Sequence, residues 1–132
     1  MAGPSMLPTM PDTPSWIVED MLTVRFNLRP LQRGDLVVVI KPTDPDIFIC
    51  KRVIGLPGDI VCIDPTGEVI SPSEHCLVPQ GHIWIAGDNA AASVDSRYYG
   101  PVPIALVYSR VIARVILEYS LLFYYDDKIT SI

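Results

Sequence analysis

The sequence predicts a mostly-β fold built from short strands joined by many turns. Thirteen of its 132 residues are proline, well above the usual share of ~5%. Proline is excluded from helix interiors and central strands, so it divides the chain into short elements. The apolar residues come in short runs, and no long amphipathic helix can be traced among them. Both observations favour an all-β arrangement.

Alternating and β-branched runs locate the individual elements. Residues 1–15 carry four prolines and are expected to form an ordered turn. We predict a half-buried strand at 21–27, buried strands at 36–40 and 47–54, and further strands at 60–63 and 82–86. The tail 104–117 fits either a helical face or a strand. Its β-branched content favours the strand.

Composition limits the class of protein. A chain of 14.6 kDa that is 49% apolar and 19% charged suits one globular core, so we expect residues 1–132 to form a single domain. The net charge of −5 argues against a nucleic-acid partner, because phosphate binding needs a basic surface. No run approaches the ~20 apolar residues that a membrane-spanning helix requires.

The cysteines and histidines predict no metal centre. Cys50, Cys62 and Cys76 lack metal-ligand spacing, and we expect neither a metal nor any other cofactor. We expect buried free thiols, with a Cys62–Cys76 disulfide as the alternative in an oxidising compartment. His75 lies in a polar stretch and His82 begins a predicted strand, and no Ser–His–Asp arrangement is apparent.

Lys51 is the unusual charge of the sequence, because it interrupts the predicted buried strand 47–54. By alternation it shares a face with Ile47, Ile49 and Val53, while Arg52 points to the other face. A lysine in such a strand either extends its amine to the surface or is buried for a function. Burial would lower its pKa and make it a usable base.

Ser5 stands in a turn between prolines, in the segment GPSMLPTM at 3–10. A serine in this setting commonly hydrogen-bonds its own backbone. It becomes a nucleophile only if a neighbouring base takes its proton. The residues alone leave both interpretations open.

Three segments, taken together, resemble the type I signal peptidases, which are serine–lysine peptidases. They are GPSMLPTM at 3–10, KRVIGLPGD at 51–59, and GDN at 87–89 followed by SVDSR at 93–97. The resemblance implies a coiled, partly open, β-barrel-like peptidase domain. It also implies a serine endopeptidase with Ser5 as nucleophile and Lys51 as general base.

The same resemblance assigns supporting roles. Ser93 would hydrogen-bond and orient the lysine, Met6 would line a shallow substrate pocket, and the Ser5 N–H would bind the oxyanion. Asp88, Asp95 and Arg97 would brace the site. Without the resemblance, these charges fit an Asx-turn with a surface ion pair worth ~0–1 kcal/mol. We assign Arg52 to structure.

The residues of these segments most resemble those of the subunit 1 branch of the mitochondrial inner membrane proteases. That implies removal of presequences from membrane-tethered precursors, on the intermembrane-space side of the inner membrane, in a heterodimer with the sister subunit 2. Family members carry a membrane anchor just upstream of the serine. Only four residues precede Ser5 here, so we expect the anchor to be missing through truncation, with a soluble relative as the alternative.

Two other functions fit the sequence less well. A self-cleaving repressor-type Ser/Lys peptidase would use the same dyad, but the chain has neither a helix-turn-helix pattern nor basic charge. A truncated, inactive β-domain would only bind its partner subunit or peptides. Replacing Ser5 separates the enzyme from this binding subunit.

Overall fold

The computed structural model describes residues 3–10 and 15–116, and within them the fold is mostly β, as predicted. The strands of this part of the chain are β1 (Ser15–Asp20), β2 (Leu36–Ile40), β3 (Phe48–Gly55), β4 (Ile60–Cys62), β5 (His75–Leu77), β6 (His82–Ala86), β7 (Val102–Pro103) and β8 (Val107–Ile116). Two single-turn helices, α1 (Leu22–Arg25) and α2 (Ser96–Tyr99), and 3₁₀ turns at Pro4–Met6, Ala90–Ala92 and Ile104–Leu106 complete it.

Six strands form one antiparallel sheet in the order β1-β8-β2-β3-β6-β7. Its edge strands β1 and β7 do not pair with each other, so the sheet is open and not closed into a barrel. Strands β4 and β5 form a separate two-stranded ribbon. The ribbon therefore lies within the connection between β3 and β6 and is not part of the main sheet.

Two apolar clusters hold these parts together. The larger one lies on one face of the main sheet and contains buried residues from β2, β3, β6, β7 and β8: Val37, Val39, Val53, Ile83, Ile85, Val102 and Val107. The smaller one, formed by Val61, Val78 and Trp84, joins the ribbon to β6. A buried valine contributes ~1.5–3 kcal/mol, so the β-branched runs of the sequence supply the core.

Most predicted strands are confirmed. Strands β2 and β6 occupy the predicted residues 36–40 and 82–86, β3 and β4 differ from theirs by one residue at one or both ends, and the tail is a strand from Val107 onward. The three-residue strand β5 was not predicted, because it is too short to show a periodic pattern. Residues 117–132 lie outside the described part, as do 1–2 and 11–14.

The strand predicted at 21–27 is wrong. The strand lies earlier, at β1, and the chain then turns through helix α1. The cause is Asp20, whose carboxylate accepts hydrogen bonds from the backbone N–H of Thr23, at 3.1 Å, and from its hydroxyl. These bonds satisfy the start of a helical turn, where a local side chain competes with strand pairing.

The three cysteines are free and half-buried, where burial had been expected. In the ribbon, Cys62 pairs with His75 and Cys76 with Val61. Because successive residues point to opposite faces of a strand, the Cys62 and Cys76 side chains leave opposite faces of the ribbon. No helix of the described residues is long and apolar enough to cross a membrane.

Gly55 marks the closest packing between the main sheet and the ribbon. A Cβ atom there would lie 2.6 Å from Cγ1 of Val61 and 3.2 Å from both Trp84 Cβ and Val78 Cγ2. We expect Gly55→Ala to lower the free energy of unfolding by about 1–3 kcal/mol, since overpacking a core strains it. Urea denaturation measures this.

The matched test adds Val61→Ala, which removes the methyl group that the new Cβ would meet. The double variant should lose less stability than the sum of the two single variants, because the cavity and the added methyl compensate. Strictly additive losses would contradict the proposed packing.

Candidate active site

Lys51 lies in the middle of β3 with its side chain on the core face of the sheet. Its neighbour across the sheet is Val37 of β2, and Val53 shares its face, as alternation predicted. The residue is only 4% exposed. The amine is therefore held inside the protein and does not extend to the surface.

The amine is met by the segment that follows β6. Pairing between β3 and β6 reaches Arg52 and Ala86, after which the chain leaves the sheet and returns through the 3₁₀ turn Ala90–Ala92. This turn places Ser93 against Lys51, whose Nζ donates to Ser93 Oγ at 3.1 Å. The Ser93 hydroxyl in turn donates to Oδ2 of Asp95 at 2.6 Å.

Asp95 is fully buried and its oxygens are already occupied. Oδ2 also accepts from the Gly87 N–H at 2.9 Å, and Oδ1 accepts from Arg97 Nε at 2.9 Å. The Arg97 N–H donates to Oδ1 as well, which makes Asp95 the N-cap of α2. Arg97 Nη2 donates to the carbonyls of Ala90 and Ser93. The ion pair therefore fixes the loop that carries Ser93.

Burial sets the protonation of this cluster. Burial lowers the pKa of Lys51 below its ordinary value of 10.5, and the nearby Asp95 charge only partly opposes this shift. Burial alone would raise the pKa of Asp95, but the hydrogen bonds from Arg97, Ser93 and Gly87 bring it below its usual value. Lys51 therefore releases its proton more readily than an exposed lysine, and Asp95 is a stronger acid than an exposed aspartate.

The serine loop, residues 3–10, lies against the segment 87–89. The backbone carbonyl of Ser5 accepts from the Asn89 N–H at 2.8 Å, and the Pro4 carbonyl accepts from Asn89 Nδ2 at 2.9 Å. Met6 is 3% exposed, and its sulfur accepts from the Asp88 N–H at 3.5 Å. Ser5 itself is half-buried.

Gly87 brings the serine loop and the lysine cluster together. A Cβ atom at this position would lie 2.6 Å from the Ser5 carbonyl oxygen and would collide with the Ser93 hydroxyl. Glycine is therefore required for space, because the Ser5 carbonyl and the Ser93 side chain both occupy the place where a Cβ would lie. Sequence reasoning did not single out Gly87, since only the folded geometry shows this approach.

Asp88 braces the serine loop from the other side. Its carboxylate receives two hydrogen bonds from Arg52, at 2.8 and 2.7 Å, and one from the Thr9 hydroxyl at 2.5 Å. Chiefly because of the Arg52 hydrogen bonds, the pKa of Asp88 is lowered. Arg114 Nη1 also donates to the Thr9 carbonyl. Thr9, Asn89 and Arg114 were not predicted to take part.

The structure thus brings Lys51, Ser93, Asp95 and Arg97 into one hydrogen-bonded series, and it joins Asp88 to the serine loop. Strand β3 also carries a thiol, that of Cys50. It points to the face opposite Lys51 and contacts Met10. Burial raises the pKa of Cys50 to about 11, so this thiol is protonated and unreactive.

The histidines and acidic residues supply no second centre within the described ranges. The rings of His75 and His82 are bound to nearby backbone carbonyls of Ser73 and Gln80. No group of histidine, cysteine and acidic residues in this part of the chain has the geometry of a metal site.

Comparison with known protein families identifies the class to which this mostly-β domain belongs. The protein-family model described as "Signal peptidase, peptidase S26" matches residues 1–71 and 65–116. The chain therefore belongs to the signal peptidase family, peptidase S26.

Individual relatives agree with this family. Mitochondrial inner membrane protease subunit 1 of Schizosaccharomyces pombe is 47% identical over 114 residues, covering 86% of this chain and 69% of the relative. Subunit 2 of the Saccharomyces cerevisiae protease is 35% identical over 117 residues, covering 86% of this chain and 64% of the relative. The chain spans 63–69% of the length of the curated relatives it matches.

A solved structure supports the fold. The signal peptidase I of Enterococcus faecalis V583 superposes with a TM-score of 0.50 at 26% identity, covering 64% of this chain and 98% of that chain. The relatives and this neighbour confirm the resemblance to the signal peptidase family, and the neighbour confirms the fold class.

The lowered pKa of Lys51 predicts a cost in stability that depends on pH. The unfolded chain binds the proton more tightly, so stability falls as pH is lowered from about 10.5 toward the folded pKa. We expect Lys51→Met to be more stable than the wild type at neutral pH, with a melting temperature raised by a few degrees. Calorimetry at pH 7 and pH 10.5 measures this.

The gain should shrink at pH 10.5, where half of the unfolded lysines are neutral. A gain in stability that is equal at both pH values, or a loss of stability at neutral pH, would contradict the claim that burial destabilises the ammonium form of Lys51.

Proposed function

We propose that this chain, as a single signal-peptidase-like domain over residues 1–132, is a serine endopeptidase that uses Ser5 and Lys51. One observation carries the proposal. A buried lysine with a lowered pKa donates to Ser93, and Ser93 and the Ser5 backbone both lie against Gly87. A lysine whose ammonium form is disfavoured by burial, held next to a serine loop, is an arrangement that can activate a hydroxyl.

In the proposed reaction the Ser5 hydroxyl oxygen attacks the scissile carbonyl carbon. The lone pair of Lys51 Nζ takes the hydroxyl proton, and the ammonium then protonates the leaving amine as the peptide bond breaks. Water, deprotonated by the same amine, attacks the carbonyl of the acyl-enzyme, and the ammonium returns this proton to the Ser5 oxygen as the ester bond breaks. Ser93 directs the amine, since its hydroxyl accepts from Nζ and donates to Asp95.

The remaining residues position these groups. The Ser5 N–H would stabilise the oxyanion, a role in which one donor contributes ~2.7–4 kcal/mol. Asp88 holds the serine loop through Thr9 while it is itself held by Arg52. Met6 would line the pocket for a small substrate side chain from beneath the loop.

The relatives suggest where and on what the protein acts. The similarity to mitochondrial inner membrane protease subunits 1 and 2 supports processing of presequences at the mitochondrial inner membrane. We propose that it faces the intermembrane space and forms a heterodimer with a subunit 2 homologue. Its substrates would be membrane-tethered precursor proteins.

The central test replaces the dyad. Ser5→Ala and Lys51→Met should each reduce cleavage of a peptide spanning a presequence cleavage site by at least about a thousandfold, measured as kcat/KM by mass spectrometry with the subunit 2 homologue present. Ser71→Ala, an exposed serine that hydrogen-bonds Ser73, is the matched control. Unchanged cleavage by the Ser5 variant would refute the proposed dyad.

Inactivity of the wild type, with and without the subunit 2 homologue, would instead favour a binding subunit without catalysis. Binding of the same peptide by the inactive protein would support that function.

Activity should depend on pH through Lys51. The base is useful only when neutral, so kcat/KM should rise with pH as the amine loses its proton. The midpoint should lie below 10.5, because burial lowers the pKa of Lys51. A pH profile with its maximum below pH 6 would contradict a lysine base.

Gly87→Ala tests the close approach at the site. The added methyl would push Ser93 away from Lys51 and displace the Ser5 carbonyl, so we expect kcat to fall at least tenfold while the fold is retained. The control is Ala92→Gly, which removes an exposed methyl in the same loop. Near wild-type kcat for Gly87→Ala would show that the approach is not needed.

A further inference from the structure

Asp64 is a buried charge that the proposed mechanism does not use. It lies just after β4, in the turn that begins the ribbon loop, and it is 0% exposed. Its carboxylate accepts hydrogen bonds from the Thr66 hydroxyl at 2.6 Å and from the N–H groups of Thr66, Val69 and Ile70. A fully buried carboxylate normally needs a positive partner as well.

That partner is Arg97. Its Nη1 lies 3.9 Å from Asp64 Oδ1, while its Nε donates to Asp95 on the other side. The Arg97 side chain is only 5% exposed. Arg97 therefore lies between two buried carboxylates, one from the ribbon and one from the loop that orients Lys51.

The charge balance of this cluster depends on Lys51. With a neutral amine, the two carboxylates and the guanidinium carry a net charge of −1, and protonation of Lys51 makes the cluster neutral. Loss of the Asp64 charge would change these values to 0 and +1. A buried cluster is weakly screened by solvent and salt, so this change would disfavour the ammonium form of Lys51.

We propose that Asp64 is a positioning residue for the Lys51 base, in that its carboxylate balances Arg97 and thereby sets how readily Lys51 accepts a proton. This inference deepens the proposed function and rests on it for its catalytic meaning. It also gives the ribbon a function, because the ribbon supplies a charge to a site built on the main sheet.

The other groups around Lys51 do not replace this effect. The ionisable groups that act on Lys51 through their charge are Asp95 and Arg97 from the segment after β6, Lys41 after β2, and Cys50 on the opposite face of β3. The serine loop, residues 3–10, contains no ionisable side chain. Arg97 is faced by Asp64, Asp95 and Tyr98. Asp64 is thus the second carboxylate of the cluster and the one outside the catalytic loops.

The experiment removes the charge and reads the lysine directly. Two neutral variants, Asp64→Asn and Asp64→Ser, are made with and without Ser5→Ala. In the Ser5→Ala background, ¹³C-lysine NMR follows the titration of Lys51, whose signal is assigned by its loss in Lys51→Met. With Ser5 intact, the pH profile of kcat/KM gives an independent midpoint.

Both neutral variants should lower the Lys51 titration midpoint by roughly half a pH unit, because one weakly screened negative charge is removed from the cluster. The kcat/KM midpoint should fall by the same amount. Thr66→Val is the matched control, because it removes the 2.6 Å hydrogen bond to Asp64 and leaves the charge in place. It should leave both midpoints unchanged.

Every other result overturns the inference. No shift, an upward shift, or an equal shift in Thr66→Val would show that the Asp64 charge does not act on Lys51. Failure of both neutral variants to fold would make Asp64 a purely structural residue. Because the NMR titration reads the protonation of Lys51 and not turnover, its outcome is independent of whether Ser5→Ala abolishes cleavage.

Discussion

The whole site depends on keeping the amine of Lys51 buried without giving it a permanent negative partner. A lysine in direct contact with a carboxylate would hold its proton and could not act as a base. Here the Ser93 hydroxyl lies between Lys51 and Asp95. Asp95 is also already paired with Arg97. The amine thus has a directional hydrogen bond while the nearest carboxylate is neutralised elsewhere.

The same short segment organises both halves of the site. Residues 87–89 leave β6 where its pairing with β3 ends, and each of them has a separate contact. The Gly87 N–H binds Asp95, Asp88 binds Arg52 and Thr9, and Asn89 binds the Ser5 and Pro4 carbonyls. The position of the serine loop relative to Lys51 is therefore fixed by one turn and not by the sheet alone.

The buried charges of the site lower the stability of the fold and serve the proposed chemistry. The cluster contains four ionisable side chains with little exposure, Lys51, Asp64, Asp95 and Arg97. Apolar residues of similar volume would commonly be as stable or more so. The apolar core of the main sheet offsets this cost in folding free energy. Its residues Val37, Val53 and Ile85 are completely buried. Strain and buried charge are expected where a fold carries out a reaction.

Local patterns predicted much of this, and they failed where tertiary contacts decide. The β-branched runs were sufficient for β2 and β6, and alternation placed Lys51 on the core face of β3. The helix α1 was missed because Asp20 forms a turn that an alternating pattern cannot reveal. The space required at Gly87 and the Asp64–Arg97 contact join residues far apart in sequence, so no local pattern indicates them.

Trapping of an acyl-enzyme tests the account most directly. A presequence peptide is mixed with the protein, quenched in acid within one turnover and digested with trypsin, and the mass of the fragment from Met1 to Arg25 is measured. The account predicts an acyl group on Ser5, which is absent when Lys51 is replaced by Met. Turnover with no adduct on Ser5, or an adduct that forms equally without Lys51, would contradict it.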